Sequence, residues 1–114
     1  MIIIAFAQST SKILPRIFCR HFYHCAVIVP RGDELVMYQF MRPGRVTCIY
    51  LRDRDIRTLR RHGWRFIYMD GTLPSDYNAA RCHTCVGAAK RALRIRAPFI
   101  QTPYALYIYL YGHR

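Results

Sequence analysis

The sequence predicts a single mixed α+β domain in which an antiparallel sheet packs against helices. Three observations predict it. Apolar runs of strand length, rich in Ile, Val, Phe and Tyr, recur at 2–7, 22–29, 34–40, 45–51 and 64–69. Turn chemistry separates neighbouring runs closely enough for hairpins, at Pro30-Arg31-Gly32-Asp33 and again at Pro43-Gly44. Other stretches carry their apolar residues at helical spacing instead. The chain has 114 residues, 53% of them hydrophobic and 21% charged, which suits one folded domain and argues against disorder.

The run IIIAFA at 2–7 does not alternate, so it reads as a strand buried on both faces. It ends in a small-x-small pair, but it has no basic n-region and is too short for the apolar core of a signal peptide. Gln8 to Ser11 then offer helix-capping chemistry, with Ile13, Leu14, Ile17 and Phe18 at helical spacing and Pro15 in a first turn. FYHCAVIV and ELVMYQF follow as hairpin partners, and RVTCIYL as the next strand. Asp53 caps a short helix whose buried stripe is Ile56 and Leu59 and whose stop is Gly63. WRFIYM is a further strand, and residues 70–78 form a polar loop. A helix is expected over Thr84–Ile95 on Val86, Ala89 and Leu93. Another starts at Thr102-Pro103 and stops at Gly112.

Eighteen Lys and Arg stand against six Asp and Glu, a net charge of +12, and sixteen of the eighteen are Arg. Such a field attracts polyanions: nucleic acid, anionic lipid or acidic cell-wall polymer. The helix from Asp53 concentrates Arg54, Arg57, Arg60 and Arg61 beside Tyr50, Trp64 and Tyr68, a mixture that suits either a nucleic-acid surface or a solvated face. No apolar run is long enough to span a bilayer as a helix. The cysteines are Cys19, Cys25, Cys48, Cys82 and Cys85; the odd count favours reduced thiols in a cytosolic setting over a disulfide framework.

Chemistry concentrates at three places. Cys85 follows Thr84, a good N-cap, so it falls in the first turn of a helix, where orphan N–H groups and the helix dipole favour thiolate. In the alternative it is a small core residue. His24, at the head of a strand, is a candidate base for that thiol, and Gln39 on the next strand, with Tyr38 second, is a candidate to orient the imidazole. Cys82-His83-Thr84-Cys85 is also a CxxC box, which suits a redox pair or half a zinc site with His21, His24 or Cys25 completing it.

Three segments in this order resemble one family. AFAQSTSKILPRIFCRHFYHCAVIV resembles the opening of permuted NlpC/P60-type papain-like proteins, with a His at the head of an aliphatic strand. VMYQFMRPGRVTCIYL resembles their edge hairpin, and TCVGAAKRALRI their Cys-initiated helix. QTPYALYIYL resembles the Thr-Pro-x-x-Leu-Tyr tail of small phage-encoded members. The resemblance spans nearly the whole chain. It implies a circularly permuted papain-like fold and a metal- and cofactor-free thiol hydrolase or acyltransferase, with Cys85 as nucleophile and His24 as base. Gln39 falls near the third position, where relatives often carry an acidic residue or His. A peptide or cell-wall amide is the implied substrate, and the cytoplasm of an infected host cell, or the virion, the implied location. The rival expectation is a non-catalytic basic phage structural protein that keeps the fold and binds a polyanion or virion partner.

Overall fold

The computed structural model describes residues 1–7, 22 and 24–113. The helix expected over the segment from Gln8 to Phe18 lies outside the described residues, as do Cys19 and His21. The strands are β1 (Ile2–Ala7), β2 (His24–Arg31), β3 (Glu34–Arg42), β4 (Arg45–Leu51) and β5 (Arg65–Met69). The helices are α1 (Asp53–Arg61), α2 (Cys85–Ala92) and α3 (Pro103–His113), with a 3₁₀ turn at Ala79–Arg81 before α2. The α+β class and the antiparallel sheet are therefore as the sequence predicts.

The five strands form one antiparallel sheet in the order β4-β3-β2-β1-β5. β1 lies inside the sheet and every one of its residues is buried, which is why its sequence is apolar without alternation. Its even residues Ile2, Ile4 and Phe6 join Cys25, Val27 and Ile67 under α2 and α3. Its odd residues Ile3 and Ala5 join Ala26, Ile28 and Met37 under Ile56 of α1. The molecule thus has three layers: α2 and α3, the sheet, and α1.

Three helix boundaries differ from expectation, one being that α3 runs through Gly112 to His113. α1 begins at Asp53 itself, with Arg52 in the capping position; Asp55 reaches back to accept the Arg52 backbone N–H at 2.8 Å. α2 ends at Ala92 rather than Ile95, because Arg94 turns left-handed at φ 58°. The Ile95 N–H then returns to the Lys90 carbonyl at 2.9 Å and that of Arg94 to Arg91 at 3.2 Å. This is the usual glycine-terminated helix end, built here with arginine.

The end of the sheet that meets α2 is splayed. The β2–β3 ladder starts at Val27↔Tyr38, while β1 pairs with β2 as far as Ala7↔His24. The ladder between β3 and β4 also shifts register between Phe40 and Arg42. The Gly44 N–H of the β3–β4 turn donates to the Ala80 carbonyl at 2.8 Å, fastening this hairpin to the 3₁₀ turn.

Candidate active site

α2 is aimed by its own first turn. Thr84 has extended backbone geometry, and its hydroxyl accepts the Gly87 N–H at 2.9 Å. Cys85 is therefore the first helical residue, as its place after Thr84 predicts. The helix is pinned over β2 by Val86, Ala89 and Ala92, all buried. Small residues there let the helix approach the sheet closely.

That approach sets the Cys85 thiol against the head of β2. The Cys25 thiol donates to Cys85, His24 hydrogen-bonds to it, and the Cys25 backbone N–H donates as well. These contacts hold Cys85 well below the ordinary thiol range, against the opposing effect of burial. Cys25 carries the complement. Its hydrogen bond to Cys85, its burial and the adjacent Cys85 charge keep it protonated well above the usual range. Cys85 is half-buried and Cys25 is 1% exposed, so the thiol with the lowered pKa belongs to the more exposed residue of the two. Such a thiolate, with an imidazole in contact, can attack a carbonyl carbon.

Gln39 is not part of this cluster. It pairs with Thr47 and lines a groove on the α1 side with Met37, Asp55, Thr58 and Trp64. Among the described residues its side chain makes no hydrogen bond, so the structure does not bring it onto His24. Its neighbour Tyr38 pairs with Cys48 and points to the opposite face, into a groove shared with Val46, Leu73 and Tyr77. Tyr77 lines that groove as well. Its hydroxyl donates to the Ala88 carbonyl of α2 at 3.1 Å, and burial pushes its pKa up.

The CxxC box does not act as a pair. Cys82 is buried with Phe40, Ala79 and Ala88, and its thiol donates to the Asn78 carbonyl at 3.9 Å. His83 is exposed. The thiol that meets Cys85 is Cys25, sixty positions away. Among the described residues no three His, Cys, Asp or Glu side chains are grouped to hold a metal ion. The sequence drew attention to Cys25 only as a metal ligand; its signal was its place directly after His24, on the face of β2 that alternation turns toward the helix layer.

Among the described residues no helix is long and apolar enough to cross a membrane. No family model matches the chain, and neither does any curated protein or solved structure.

Proposed function

We propose that the protein is a thiol hydrolase in which Cys85 attacks an amide carbonyl and His24 carries the proton. The observation that supports this best is the contact of His24 with a capped, helix-initiating Cys85. The step forms a bond from Cys85 sulfur to the carbonyl carbon. His24 then delivers a proton to the departing amine, and water later releases the acyl group. The Cys85 backbone N–H, at the start of α2, suits the developing oxyanion. On this reading the fold is a circularly permuted papain-like domain. A cell-wall peptide amide is the substrate class, and a small phage-encoded enzyme acting in the infected cell or the particle is the setting.

The test is turnover of cell-wall-derived peptides by the wild type, Cys85→Ala and His24→Ala. Cys85→Ala removes turnover while the protein stays folded, and His24→Ala lowers it by at least about 10²-fold. Full turnover by Cys85→Ala contradicts the reading.

A second reading rests on the surface charge. Arg54, Arg57, Arg60 and Arg61 are all exposed on α1, and Tyr68 beside them is 47% exposed. Arg60 also lies 5.4 Å over the Phe66 ring and reaches the Tyr68 hydroxyl at 3.3 Å. A basic, aromatic strip of this kind suits a polyanion. It is compatible with catalysis on the opposite side of the sheet or with a purely structural role.

A further inference from the structure

We propose that Cys25 and Cys85 form a reversible disulfide, with Cys25 resolving an oxidised Cys85. The two residues come from opposed layers, Cys25 from β2 and Cys85 from the first turn of α2. Their thiols share a hydrogen bond inside one packed cluster. Their exposures differ in the way that a resolving pair requires. Cys85 is partly exposed, whereas Cys25 is 1% exposed.

The other described thiols are committed elsewhere. Cys82 is buried against Phe40 with its thiol on the Asn78 carbonyl, and Cys48 is exposed on β4. Proximity in sequence would select Cys82; the packing selects Cys25.

The chemistry balances with hydrogen peroxide as oxidant. The Cys85 thiolate attacks the terminal peroxide oxygen, giving the sulfenic acid and hydroxide. The Cys25 sulfur then displaces the hydroxyl from the Cys85 sulfur, forming the disulfide and releasing water with the Cys25 proton. A dithiol reductant returns two thiols and is itself oxidised. The disulfide removes the nucleophile and also shields Cys85 from over-oxidation to the sulfinic acid.

This inference shares the nucleophilic Cys85 with the hydrolase reading, but its readout is mass and not turnover. The folded full-length protein is treated with several equivalents of hydrogen peroxide, since sulfinic acid takes two per thiol, then alkylated without reduction and digested with trypsin. Cleavage places Cys25 in the peptide 21–31 and Cys85, with Cys82, in the peptide 82–90. The expected result is a linked 21–31/82–90 pair that persists in Cys82→Ser, is released by dithiothreitol and is absent from Cys25→Ser. In that last variant Cys85 proceeds to sulfinic acid. Loss of the linked pair in Cys82→Ser, or sulfinic Cys85 in the wild type with Cys25 still alkylated, overturns the inference. Should Cys25→Ser fail to fold, the wild type and Cys82→Ser decide alone. A linked pair in a protein without turnover leaves this inference standing and removes the hydrolase reading; turnover without the link does the reverse.

Discussion

Cys85 owes its lowered pKa to neighbours and not to any property of a cysteine alone. Three donors meet one sulfur: the Cys25 thiol, His24 and the Cys25 backbone N–H. Each favours the anion, and together they outweigh half-burial, which favours the neutral thiol. The helix start adds to them only while the first turn stays formed, and Thr84 forms it. Thr84→Ala should therefore cost about 1 kcal/mol of stability in thermal or denaturant unfolding. The same variant should slow alkylation of Cys85 at about pH 6, where only a lowered thiol is ionised. An unchanged alkylation rate would mean that the strand, and not the helix end, activates the sulfur. Cys85 and His24 were legible as candidates because N-cap chemistry and strand heads show in local sequence. Cys25 and Gln39 were not legible in the same way. Which face of a strand meets a helix is a tertiary fact, and a shift of one residue separates Tyr38 from Gln39.

The elements hold the site by a few fixed contacts between α2 and its surroundings. Lys90 is the chief one at the helix end. Its ammonium donates to the Ala97 carbonyl at 3.0 Å and to the Ile100 carbonyl at 2.8 Å, closing the link from α2 to α3. Lys90→Met keeps the stem and removes both donors, leaving two carbonyls without that partner. It should cost about 1–3 kcal/mol, read as a lower midpoint in urea with an unchanged slope. A neutral result would show that water replaces the ammonium at no cost. Most elements could be read in advance because their patterns are local. β1 is apolar without alternation, Pro43-Gly44 marks a turn, and Asp53 to Arg61 carries one buried stripe on Ile56. The 3₁₀ turn at Ala79–Arg81 is three residues long and has no period to detect. The stop of α2 was not legible because an arginine, not a glycine, takes the left-handed position at 94.

At the scale of the whole molecule the sheet divides two chemistries. The thiol cluster lies under α2, and the exposed arginines of α1 lie on the other side. With a net charge of +12, binding to a polyanion should weaken steeply with salt. If the α1 strip binds the phosphates, replacing Arg54 and Arg57 by Gln should reduce the log–log salt slope for duplex DNA by about 0.9 for each phosphate no longer neutralised. An unchanged slope would place the binding surface elsewhere. Neither substitution touches the thiol cluster, so the proposed binding and the proposed catalysis are tested separately. The most direct test of the account follows all five cysteines of the intact protein at once: the pH dependence of iodoacetamide labelling, read at each cysteine by mass spectrometry, with and without His24→Ala. The account predicts that Cys85 alone is labelled at about pH 6 and that His24→Ala moves its titration upward. Cys25 should stay unlabelled in both. Cys85 titrating in the ordinary thiol range, or indifferent to His24→Ala, would contradict the assignment.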